Sequence, residues 1–348
     1  MKKKIFLILF VIICFLAGGI LFWRNTGTSS EIIHPTTKFI LWAFALGAIS
    51  AVSLPLGSIA GIIFNPKPKI TAGFTAFGAG ALLAALSIEL IAPTVMQIVG
   101  QADNPLGMSH EKNNAIFNMG ALIFGCILGG ILFFVLDEAV NSRGGFIRKV
   151  STIISFLKKD DEQRILKKVE SEEQHPIETS EVQKEVKEHN SGPMAIWLGL
   201  LIDGIPESFV IGSGFLAILS SKLASGQDPS FSEVIPYTLV AGLFLSNFPE
   251  ALGSSIGMKK QGFSAKKILG LWSSLVVVVA VGSLLGYYLG AEVPHEVEIG
   301  IEGLAAGAML TMIAQTMIPE AVHIGGAKVV GLSTLVGYLS ATAFKLFE

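Results

Sequence analysis

The stretch "LLIDGIPESFVIG", residues 200–212, is apolar at both ends, yet it carries Asp203 and Glu207 with Pro206 between them. A near-copy follows at residues 244–255, "FLSNFPEALGSS", with Ser246, Asn247, Pro249 and Glu250. Whether these segments cross a bilayer decides the fold. Of the 348 residues, 51% are hydrophobic and only 15% charged. Apolar runs near the twenty residues that span a hydrocarbon core recur along almost the whole chain. The sequence therefore predicts an all-α polytopic membrane protein. Its nine apolar helices fall near 4–23, 38–64, 70–97, 115–137, 194–220, 234–258, 266–290, 299–322 and 327–346. A β-barrel would instead show alternating ten-residue segments. Small residues inside the runs ("GAGALLAALS", "GCILGGILFF") let helix backbones approach closely and favour packing of helix on helix. Cys14 and Cys126 sit in separate runs, which argues against a disulfide framework.

Basic residues orient the chain. With the N-terminus cytoplasmic, all of the 25 Lys and Arg except Arg24, Lys38, Lys112, Lys222 and Lys345 fall in cytoplasmic segments. This pattern puts the C-terminus outside. The expected organisation is a signal-anchor helix in 1–25, transmembrane helices in 38–137, a charged cytoplasmic loop at 138–193, and five further helices in 194–346. The loop opens with "GGFIRKVSTIISFLKK", whose apolar residues recur near helical spacing among basic ones, as in a helix lying on the inner leaflet. His175 and His189, scattered in the polar remainder, read as ordinary loop residues.

An acid at a helix centre opposes insertion by roughly 2.5–3.5 kcal/mol. Asp203, Glu207 and Glu250 together oppose it by roughly 8–10 kcal/mol on the same scale. Such a cost calls for a use. Asp203 and Glu207 are one turn apart and share a face, as do Ser246, Asn247 and Glu250. The short connection at 221–233 makes the two helices expected antiparallel neighbours, facing each other with oxygens at one depth. Pro206 and Pro249 cannot donate to the carbonyls of Ile202 and Leu245, so both helices are expected to kink and to free a carbonyl oxygen. Clustered oxygens, several of them ionisable, suit a divalent cation. The plainer reading has protonated acids acting as hydrogen-bonded glue between helices. It suits one such acid better than three on two matched segments.

The pattern resembles the ZIP (Zrt/Irt-like) family of divalent metal transporters, particularly its prokaryotic branch. "DGIPES" (203–208) and "SNFPEA" (246–251) resemble the paired Pro-Glu motifs of the family's fourth and fifth helices. "FGAGALLAALSIELIAP" (77–93), "FGCILGGILFFVLDE" (124–138), "GLAAGAMLTMIAQTMIPEA" (303–321) and "GLSTLVGYLSATAF" (331–344) resemble its second, third, seventh and eighth. The resemblance covers about residues 38–346 and implies an eight-helix ZIP-like bundle with inverted-repeat character, here with one extra N-terminal transmembrane helix. It implies a mid-membrane metal site between the fourth and fifth helices and transport towards the cytoplasm. Glu207 and Glu250 occupy the positions of the family's metal-binding glutamates, and Asn247 that of its helix-five amide or acid. Asp203 replaces the family histidine, Gly204 its asparagine, and Ser246 its helix-five glutamine. Gln315 and Thr316 stand where a glutamate usually precedes "IPEA". Trading nitrogen for carboxylate oxygen shifts preference from zinc towards harder ions such as Mn²⁺, Fe²⁺, Mg²⁺ or Ca²⁺.

The expected function is thus divalent cation transport rather than catalysis. The metal set is Asp203, Glu207, Ser246, Asn247, Glu250 and Gln315, and pathway candidates are Glu89, Thr316, Glu320 and His323. Asp137, Glu138 and Glu302 read as interfacial, solvated acids. The divalent ion (Zn, Mn, Fe or another) is substrate, and no organic cofactor is expected. The expected partners are that ion and the lipid bilayer, with a homodimer as a further candidate assembly and no nucleic acid. The location is integral and multi-pass, with a bacterial inner (plasma) membrane as the expected site. The alternative is a degenerate ZIP-like metal-binding sensor or scaffold, without transport, whose output is the 138–193 loop. An intramembrane enzyme would need a second aspartate on a facing helix, and the sequence offers none.

Overall fold

The computed structural model describes residues 36–64, 66–102, 109–140, 192–260, 262–292 and 295–347. The expected N-terminal helix and residues 141–191 of the expected loop lie outside these residues. The described elements are α1 (Thr37–Ala51), α2 (Ser53–Phe64), α3 (Pro68–Ala85), α4 (Ala92–Ala102), α5 (Ser109–Val140), α6 (Gly192–Ala224), α7 (Tyr237–Lys260), α8 (Ala265–Glu292), α9 (His295–Met312), α10 (Ile318–Gly325) and α11 (Ala327–Ala343). One π-helical turn, Leu86–Ile91, joins α3 to α4, and another, Ile313–Met317, joins α9 to α10. Among the described residues there is no β-strand.

Seven helical stretches are long and apolar enough to cross a membrane. They are Thr37–Phe64, Pro68–Gly100, Asn114–Glu138, Gly204–Ala224, Ala265–Ala291, Val297–Gly325 and Ala327–Phe347. The chain is a multi-pass helical membrane bundle. Helix α7 is longer than the shortest of these but is not among them, because Ser246, Asn247, Glu250, Ser254 and Ser255 interrupt its apolar run. Large apolar side chains cover the outside of the bundle. On α5 alone, Ile123, Phe124, Ile127, Ile131 and Phe134 are exposed. A face like this is stable against lipid tails and would be costly in water.

Two ends of the bundle can be told apart by their polar contacts. At one end Lys38 of α1 pairs with Asp228 of the α6–α7 connection at 3.1 Å, and its ammonium sits 4.7 Å from the Trp42 ring centroid. Basic and aromatic side chains gather in this way at membrane interfaces. At the other end Lys259 of α7 donates to the Ile62 carbonyl of α2 at 2.6 Å. There Gly326 alone links α10 to α11, at φ 83°, a left-handed conformation open to glycine and costly for other residues.

Packing runs mainly between helices distant in sequence. Helix α5 lies on α9, α3 on α11, α6 on α8, and α7 on α2, while α8 also lies on α1 and α7 on α3. The pairs obey a pseudo-twofold rule. Exchanging α1–α2 with α8, α3–α4 with α9–α10, α5 with α11, and α6 with α7 turns the α5–α9 pair into α11–α3. It likewise turns α6–α8 into α7–α2. The exchanged helices run in opposite directions, so the halves are inverted copies in their packing. The two π turns also exchange. Pro93 stands four residues after Glu89, and Pro319 four after Gln315, so each proline withholds the i+4 donor from the polar residue's carbonyl. The turn widens from α to π at both places.

Candidate metal site

Helix α6 brings Glu207 and helix α7 brings Asn247 and Glu250 to the wall of one cavity. The rest of its lining is Leu201 and Gly204 of α6, Leu54 of α2, and Leu275, Val278 and Val279 of α8. Its volume is about 20 Å³, room for roughly one water or one bare cation. Glu207 is 4% exposed and Asn247 5%, and Glu250 is half-buried. All three lie near the middle of their helices.

Close backbone contacts hold the wall in place. Ser208, next to Glu207, turns its hydroxyl back to donate to the Ile205 carbonyl at 2.8 Å. Gly282 of α8 faces it, and a Cβ there would overlap that hydroxyl, so the bare glycine lets α8 bring Val278 and Val279 to the cavity. On the α7 side, Gly57 of α2 sits against the Phe248 carbonyl, where a Cβ would overlap the backbone oxygen.

Of the residues expected at the metal site, Glu207, Asn247 and Glu250 come together. Asp203 lies one turn before Glu207 on α6, and its side chain is outside those described. Ser246 is buried but is not part of the lining. Its Cα lies 2.9 Å from where a Cβ on Gly78 of α3 would stand, and its hydroxyl has no hydrogen-bond partner. Gln315 is also elsewhere, because its amide donates to Asp137 Oδ2 of α5 at 2.8 Å. Helices α6 and α7 run unbroken through Pro206 and Pro249. The Leu245 carbonyl lies 3.2 Å from the position of a Gly78 Cβ, and so against α3 instead of among the cavity's lining. The expected direct facing of α6 and α7 is looser than the sequence implied, since each packs more heavily on other helices.

The pathway candidates are spread along the bundle. Glu89, in the first π turn, pairs with Lys345 at 2.9 Å. Thr316, in the second, is buried, and its hydroxyl has no hydrogen-bond partner. Glu320 is half-buried and His323 exposed, both on α10. Glu302, read from sequence as a solvated acid, is half-buried and accepts a hydrogen bond from the buried Thr94 hydroxyl at 2.7 Å. Sequence reasoning missed the apolar wall supplied by α2 and α8. It also missed the roles of Asp137 and Lys345 as partners, because each sits at a helix end where a charge is unremarkable.

The lining offers two carboxylates and one amide as its polar groups, with no basic side chain among them. Such an oxygen set fits a hard cation better than a soft one. Among the described residues, no three His, Cys, Asp or Glu side chains gather into one group. No protein-family model matches the chain, and no curated protein matches its sequence.

Proposed function

We propose that the protein is a ZIP-like transporter that moves divalent cations across the membrane towards the cytoplasm. The observation that carries the reading is an ion-sized cavity at mid-helix depth whose polar wall is Glu207, Asn247 and Glu250. Eight transmembrane helices form the transporting core, with the N-terminus cytoplasmic in a bacterial inner membrane. The buried Glu207 and half-buried Glu250 carboxylates, from two helices, hold the ion, and Asp203, one turn from Glu207, completes the oxygen set. The pseudo-twofold packing supports alternating access, in which one group of helices rocks against its inverted copy around a fixed site. The oxygen-only set shifts preference from Zn²⁺ towards harder ions such as Mn²⁺, Fe²⁺, Mg²⁺ or Ca²⁺.

The test is uptake of a panel of divalent ions into proteoliposomes, with wild type beside Glu207→Ala and Glu250→Ala. Each variant loses uptake of the preferred ion, by about a hundredfold or more for a lost charged ligand. Ion binding without uptake would favour the sensor reading. Zinc uptake that exceeds manganese uptake and survives Asp203→Ala would overturn the selectivity.

A further inference from the structure

The two π turns carry one more shared feature. Glu89, in the first, accepts hydrogen bonds from Lys345 Nζ at 2.9 and 3.1 Å. Lys345 lies just past the C-terminal end of α11, the helix packed on α3. Gln315, in the second, donates to Asp137 Oδ2 at 2.8 Å. Asp137 lies near the C-terminal end of α5, the helix packed on α9. Glu89 and Gln315 hold the same place in their repeats, four residues before a proline. Their partners hold the same place too, at the ends of the exchanged helices α11 and α5. The two contacts fall at opposite ends of the bundle. Lys345 and Glu89 are at the end marked by Lys38 and Asp228, while Asp137 and Gln315 are at the end marked by Gly326.

A π turn is a rare single-turn bulge in an α-helix and occurs frequently at functional sites. Here each is tied by a polar side chain to the end of a helix that the sequence places far away. The Glu89 side chain is 8% exposed and that of Lys345 47%, so this contact is ionic and partly shielded from water. The other pairs a neutral amide with a carboxylate. We propose that these are two separate clasps, one for each face of the membrane, each locking a π turn to the terminal turn of its packed helix. Releasing one frees that end of the bundle and leaves the other closed. The inference rests on the packing alone and holds whether or not the cavity carries metal.

The test is hydrogen–deuterium exchange of the full-length protein in nanodiscs, read on peptides covering 86–92, 338–347, 133–140 and 313–320. Glu89→Gln and Lys345→Met each raise exchange about tenfold in 86–92 and 338–347, the effect of losing one charge-assisted contact. They leave 133–140 and 313–320 unchanged. Gln315→Leu does the reverse. The exchanged pair Glu89→Lys with Lys345→Glu returns the first end to near wild-type protection. In the wild type, raising salt from 0.05 to 1 M loosens the ionic end more than the amide end, a readout that needs no variant. Equal loosening of both ends by any single variant, no loosening at all, or a salt response that is the same at both ends would each overturn the proposal.

Discussion

Replacing Gly204 by alanine separates the cavity's role from the fold's stability. Gly204 lies inside α6 and lines the cavity, and a Cβ built on it meets only Val279 Cγ2, at 3.6 Å. That is ordinary van der Waals contact, so the helix needs no adjustment. Alanine in place of glycine within a helix contributes roughly 0.5–1 kcal/mol of stability through the unfolded chain. The cavity, however, holds only about 20 Å³, close to the minimum for one water-sized occupant. The added methyl takes part of that space, and an ion must then push into an overpacked wall. Overpacking costs about 1–3 kcal/mol, which corresponds to a dissociation constant raised by about five- to 150-fold. The expected result is a variant that melts at the same temperature or higher yet binds Mn²⁺ much more weakly. Thermal unfolding of the purified protein and calorimetric titration with Mn²⁺ measure the two quantities on one sample. Unchanged Mn²⁺ affinity in a folded Gly204→Ala protein would refute the assignment of the cavity as the ion's seat.

Two further predictions follow from local geometry. Gly57→Ala places a methyl on the Phe248 carbonyl; the backbone cannot rotate away, so destabilisation of about 1–3 kcal/mol is expected, read as a lowered melting temperature. In the α6–α7 connection, the Ser230 hydroxyl donates to the Glu233 carboxylate at 2.6 Å and the Ser230 N–H donates at 2.8 Å, holding that carboxyl below the usual glutamate range. A depressed carboxyl stabilises at neutral pH and loses its contribution as pH falls through its own folded value. The loop should therefore loosen only in acid, below about 4.3. Ser230→Ala should move the Glu233 carboxyl back up, as NMR titration of its side-chain carbon would show.

Much of the bundle was legible because the bilayer imposes one rule on every span. Runs such as "LWSSLVVVVAVGSLLGYYLG" must be helical to satisfy their backbone, and their length announces it. The pairing of Glu207 with Glu250 was legible for a related reason, since two acids that oppose insertion must meet something. What the sequence hid was tertiary. Ser246 and Gln315 carry plausible ligand chemistry, but each is turned by the helix packed on it: Gly78 of α3 draws one side of α7 inward, and Asp137 of α5 engages the Gln315 amide. Pro206 and Pro249 read as kinks and lie inside continuous helices, while π turns precede Pro93 and Pro319. A proline removes one donor wherever it stands.

The long-range pairing also shapes how the chain can be assembled. Helix α5 ends at Val140, and α9, on which it lies, begins only at His295. Likewise α2 ends at Phe64, while its mate α7 starts at Tyr237. As the ribosome delivers the chain into the membrane, the early helices must wait with their glycine-lined seams facing lipid or an insertion factor until the second half arrives. Truncation after α6 would therefore leave no half-built bundle, only a set of loosely associated helices open to quality control.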